Sequence, residues 1–153
     1  MSGRFIVSGL VGLALAAVGC GDDGNSLAEF EGTWKYIQSP AQFSCPGDPV
    51  QTGSFGTMKD WRQGVKSALV DFSTSCNYRF DVHGKVATIQ KSQTCDLLDN
   101  QGAPASEAPN SWVFTLTSAT TAEEKVETVT TFSDGVSCTL TATMSTLEKI
   151  SKD

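Results

Sequence analysis

The chain has 153 residues, 39% of them hydrophobic and 18% charged, with a formal net charge of −6. That length supports one domain with its own core, and the composition excludes a disordered tail and a polytopic membrane protein. The acidic balance, with no basic cluster to offset it, argues against a surface that grips a phosphate backbone, so no nucleic-acid partner is expected.

The first element reads as an export signal. The Met1 amine and Arg4 supply positive charge, and an apolar stretch of 14 residues runs from Phe5 to Val18. A spanning helix needs about 20 such residues and a signal h-region about 7–15. Ala17-Val18-Gly19-Cys20 then resembles a bacterial lipobox, although Ala17 stands where that motif prefers Leu. The resemblance implies cleavage before Cys20 and acylation of Cys20, hence membrane attachment in the cell envelope. Two or three acyl chains hold a protein on a bilayer, at ~0.8 kcal/mol per buried CH₂. Gly21, rather than Asp, follows the cysteine, which favours the outer over the inner membrane. The expected organisation is a signal peptide over 1–19, an acylated Cys20 with a flexible tether over 20–29, and a folded domain over 30–150.

The folded part alternates β-type segments with turn signals, and no long stretch shows helical periodicity. A first strand is predicted over Gly32–Gln38, a Pro- and Gly-rich loop over 39–49, and a second strand over Gly53–Lys59. Residues 60–67 read as a loop or a helical turn, and Ala68–Ser73 as a third strand. In Cys76–Gln90, Cys76, Tyr78, Phe80 and Val82 share one face. A two-residue turn at His83-Gly84 would set Phe80 opposite Ala87 and Tyr78 opposite Ile89. A long loop is expected over 94–110. Trp112, Phe114 and Leu116 then alternate in a strand over 111–118. The last two strands are expected over 125–132 and 136–148. An Asp134-Gly135 turn between them would pair Val129 with Leu140 and Thr131 with Cys138, leaving Phe132 on the face opposite Val129; a bulge or longer turn would alter this.

Eight candidate strands joined mostly by short connections suggest an all-β, antiparallel, up-and-down barrel. Export implies an oxidising compartment, and apart from Cys20 four cysteines remain, enough for two disulfides. Three pairings are possible. In a closed meander all four fall at one end, which favours Cys45–Cys138 and Cys76–Cys95, with the tether entering at the opposite end.

Gly32-Thr33-Trp34 resembles the Gly-x-Trp signature of lipocalins at the start of the first strand. Over residues 30–147 the order of the GTW strand, the Ser44-Cys45-Pro46 loop, the Cys76–Gly84 hairpin, Gln93-Thr94-Cys95 and Ser137-Cys138 is similar to small bacterial lipoproteins with lipocalin-like domains. The resemblance implies that Trp34 plugs a closed end and that the opposite, cysteine-rich rim forms the mouth. The chain is short and lacks a clear C-terminal helix.

No catalytic constellation is found. His83, the single histidine, falls at a hairpin tip, where no Ser-His-Asp relay would hold it. The Glu123-Glu124 pair reads as a solvated edge at the turn before the seventh strand. No metal-ligand spacing and no phosphate-cradling glycine loop appears, so no enzyme activity, cofactor or metal is expected. The leading expectation is a lipid-anchored barrel binding a small apolar ligand. The alternative is a protein-binding or inhibitor module with a filled core, using the disulfide-tied end. The two differ in what occupies the centre of the barrel.

Overall fold

The computed structural model describes residues 26–64 and 68–151. The expected signal peptide, Cys20 and the tether through residue 25 lie outside the described residues, as do residues 65–67. A one-turn helix α1 (Ser26–Phe30), at the end of the expected tether, leads into eleven strands. They are β1 (Gly32–Gln38), β2 (Pro40–Ser44), β3 (Gln51–Ser54), β4 (Met58–Gln63), β5 (Leu69–Asp71), β6 (Arg79–His83), β7 (Val86–Ile89), β8 (Cys95–Leu98), β9 (Pro104–Leu116), β10 (Thr121–Phe132) and β11 (Ser137–Ser151).

All pairings are antiparallel, and the order β1-β4-β5-β6-β7-β9-β10-β11 closes through β1–β11 contacts into an eight-stranded barrel. The remaining three strands are extensions. β2 continues β1 past Ser39 along β11, and β3 pairs with β2 before the chain re-enters the wall as β4. β8 folds back on the start of β9. The wall is therefore uneven. β9, β10 and β11 have 13, 12 and 15 residues, whereas β5, β6 and β7 have 3, 5 and 4. Above the short strands only the open array β8-β9-β10-β11-β2-β3 continues, so one side of the mouth is cut away.

The first strand falls where alternation predicts it. Several other segments depart from expectation. The expected loops over 39–49 and 94–110 contain β2, β8 and the start of β9. Proline suggests a loop in both places, but Pro40 and Pro104 each open a strand, and Pro109 stands at a register shift opposite β10. Those are the positions where a missing N–H is tolerated. The second strand, expected over 53–59, is broken at residues 55–57, and part of the ambiguous segment becomes β4.

Both hairpin registers also move. In β6–β7 the observed pairs are Phe80 with Ile89 and Val82 with Ala87, two residues from expectation. The turn is Gly84-Lys85 with Gly84 at φ +57°, positive only at the first central residue as a II′ turn requires. A shift of two preserves the faces, so Phe80 still points inward. In β10–β11, Phe132 N–H bonds to Val136 O at 2.9 Å, so the turn has three residues, with Gly135 at φ +86°. Thr128 then pairs with Leu140 and Thr130 with Cys138.

The closed end is packed with aromatic rings. Trp34, Trp61, Phe80 and Phe114 are fully buried, and Phe30 of α1 seals them from below. Trp34 meets Phe114 edge-on at 5.3 Å, and Trp61 meets Phe80 at 4.7 Å. Edge-to-face pairs of this kind add about 0.5–1.5 kcal/mol each beyond the area they bury.

Candidate functional site

Above the aromatic plug, strand alternation turns three charged side chains inward. Lys59 shares parity with Trp61 on β4, Asp71 faces Trp61 from β5, and Glu124 shares parity with Ala122 and Val126 on β10. All three are buried, Lys59 being 2% exposed and both carboxylates 0%. Lys59 Nζ lies 2.6 Å from Glu124 Oε1 and 3.0 Å from Asp71 Oδ2. Trp112 Nε1 donates to Glu124 Oε1 at 2.6 Å, and the Tyr36 hydroxyl donates to Glu124 Oε2. Ser73 donates to Asp71 Oδ1 through its N–H at 2.9 Å and through its hydroxyl. The ammonium also sits 4.1 Å from the centre of the Trp112 ring and 5.1 Å from that of Trp61. Burial of these charges is tolerated because each meets an opposite charge, hydrogen-bond donors or a π face.

The Tyr36 phenol responds to this setting. Burial raises its pKa far above the ordinary value, and the Glu124 charge, the hydrogen bond to Glu124 and the Asp71 charge act in the same direction. Phe55, carried by the break between β3 and β4, packs on Tyr36 at 6.0 Å and on Trp112 at 5.6 Å, covering the cluster from the mouth side. Glu124 is thus no solvated edge, correcting the sequence expectation. Glu123 beside it is half-buried and of opposite parity.

The rim is the second candidate region. Cys45 bonds Cys138 and Cys76 bonds Cys95, as the meander predicts. Register places Cys95 opposite Glu107, Glu107 opposite Thr130, and Thr130 opposite Cys138, so the two bridges flank Glu107 and Thr130 on one face. Tyr78, 1% exposed, donates its hydroxyl to Glu107 Oε1 at 2.9 Å. Burial raises the Tyr78 pKa well above its usual value, with the Glu107 charge and that hydrogen bond adding to it. One pair further into the barrel, Thr128 is 1% exposed and its Oγ1 is buried without a hydrogen-bond partner. A shallow recess of about 230 Å³ lies along the same rim against Ala41, Phe43, Gly53 and Leu140. A wider recess of about 720 Å³ lies outside the closed end, beside Ala28, Lys85 and Thr120.

The other sequence-predicted positions separate. Gly32 opens β1, and Trp34 sits at the closed end with its Nε1 donating to Phe30 O at 2.9 Å. Lys149 Nζ lies 4.9 Å from the Trp34 ring centre. His83 is exposed at the end of β6. Among the described residues no group of His, Cys, Asp and Glu is arranged to hold a metal ion, and no helix is long and apolar enough to cross a membrane. Sequence reasoning missed Lys59, Asp71 and Glu107 and set Glu124 on a solvated edge, although Lys59, Asp71 and Glu124 share strand parity with neighbouring apolar residues.

The architecture is an antiparallel eight-stranded barrel, lipocalin-like in kind and compatible with ligand binding. No family model, no curated protein and no solved structure matches the chain.

Proposed function

We propose that this is an exported protein, anchored in the envelope through acylated Cys20, that binds a protein partner at the disulfide-tied rim. The observation that carries the reading is the filled centre. The Lys59–Asp71–Glu124 cluster, Trp112 and Phe55 occupy the space in which a calyx would hold a small apolar molecule. An eight-stranded barrel is just wide enough to be filled by side chains or to hold one small ligand. The barrel then serves as a rigid stand, and recognition falls to the rim, where two disulfides fix the loops. The rim recess of about 230 Å³ falls below the roughly 300–1,000 Å³ of drug-sized pockets, which favours the protein-binding reading over a small-molecule one. No reaction, cofactor or metal is assigned. Gly21 after Cys20 supports the outer membrane as the destination.

Two measurements test this. Labelled palmitate is expected in the wild type and absent from Cys20→Ser; equal labelling removes the anchor. A photo-crosslinking residue at Phe43 on the rim is expected to trap a protein on intact cells, while the same residue at Ser118 on the closed end does not. A stoichiometric small molecule in the native mass spectrum, with no rim crosslink, would overturn the binding mode.

A further inference from the structure

Resting on that reading, we infer that the partner is a cationic protein and that Glu107 receives one of its lysine or arginine side chains on the face between the two disulfides. The rim carries Asp48, Asp96, Asp99, Glu107 and Asp134 against Arg79 and Lys91. Charge complementarity of this sense speeds encounter and excludes acidic competitors.

Glu107 differs from the other acids. Asp99 accepts the N–H groups of Gln101 and Ala103 within its own turn, and Asp134 accepts that of Val136. Glu107 instead stands on β9, half-buried, with Oε1 fixed by the Tyr78 hydroxyl. Among the described residues Oε2 accepts no hydrogen bond and meets no cation. A carboxylate already oriented and partly desolvated loses little freedom when a guanidinium or ammonium arrives, and charge-assisted bonds are the stronger kind.

Thr128 lies next to this position by register, since it pairs with Pro109 where Thr130 pairs with Glu107. It lies on the inner face of β10, two residues from Thr130, which is about 6.6 Å along a strand. Its hydroxyl is buried without a partner, which in a native protein calls for an explanation. In this reading a long side chain with several N–H donors, once seated on Glu107, displaces the groups that cover the Thr128 hydroxyl and donates to it.

The test uses the intact mature protein and a labelled hexa-arginine peptide, read by fluorescence anisotropy at about 20 and about 200 mM salt, which differ in screening length. Wild type is expected to bind, with Glu107→Gln at least tenfold weaker at both salts. Thr128→Val is expected to bind about threefold more weakly without loss of thermal stability, which separates recognition from folding. Glu148→Gln, on the outer wall, should change affinity less than twofold. No binding by wild type, unchanged binding by Glu107→Gln, or equal weakening by Glu148→Gln overturns the inference. If the rim crosslinker still traps a protein in that event, the rim reading stands and only the chemistry assigned to Glu107 falls.

Discussion

Removing the Lys59 ammonium would leave Asp71 and Glu124 facing each other's charge without a cation between them. Breaking a buried pair from one side costs about 3–5 kcal/mol, whereas neutralising every member recovers much of that loss. Lys59→Met is therefore expected to lower urea stability by that amount, and Lys59→Met with Asp71→Asn and Glu124→Gln by clearly less. The tyrosines offer a second test, because Tyr36 and Tyr78 are the only two in the chain. Both pKa values are raised, chiefly by burial and next by a neighbouring carboxylate. Above about pH 10 the unfolded chain releases both protons while the folded chain keeps them, so the unfolded state binds fewer protons and stability falls as pH rises. The expected slope is about 1.4 kcal/mol per pH unit for each phenol, fully relieved below pH 10. Phenolate absorbance should show neither tyrosine ionising until the fold is lost. Early ionisation of one phenol would contradict its burial.

At the scale of elements, turns decide register. Gly135 holds φ +86° in the β10–β11 turn, with open space where a Cβ would stand, so substitution there is penalised by backbone conformation alone. Gly135→Ala should cost about 1–2 kcal/mol, and Gly53→Ala, on β3 with no positive φ and equally open space, should stay within about 0.5 kcal/mol in thermal melts. The same turn shows where sequence reading stops. The faces of β1, of Trp112-Phe114-Leu116 and of the Tyr78-Phe80-Val82 strand were legible because apolar residues repeat at period two. Cysteine pairing was legible because a meander sends alternate loops to one end. Register was not, since one extra turn residue moves Thr128, not Val129, opposite Leu140. The buried cluster was hidden for a different reason. A lone Lys59 or Glu124 looks solvent-facing until its partners are known, and although β4 and β5 are neighbours, Glu124 on β10 reaches them only across the closed barrel. Glu107 was hidden behind Pro104 and Pro109, which resemble loop residues but sit where strands tolerate them.

For the molecule as a whole, the two disulfides restrain different lengths of chain. Cys45 and Cys138 are 93 residues apart and Cys76 and Cys95 are 19 apart. In the chain-entropy description, losing the first costs about 4–5 kcal/mol and losing the second about 3. Paired alanine variants in urea should rank in that order; a reversed ranking would show that rim packing, rather than chain restriction, dominates. The path from α1 into β1 has a mechanical meaning as well. β1 is hydrogen-bonded along both edges, to β4 on one side and β11 on the other, and it runs from the closed end toward the rim. A pull applied at Ser26 and resisted at the rim acts along that strand. Both ladders are then loaded in shear, their bonds sharing the force instead of opening one by one. Rupture under such a load is governed by the unfolding barrier, so a protein held from below and gripped from above would carry tension along its best-braced strand.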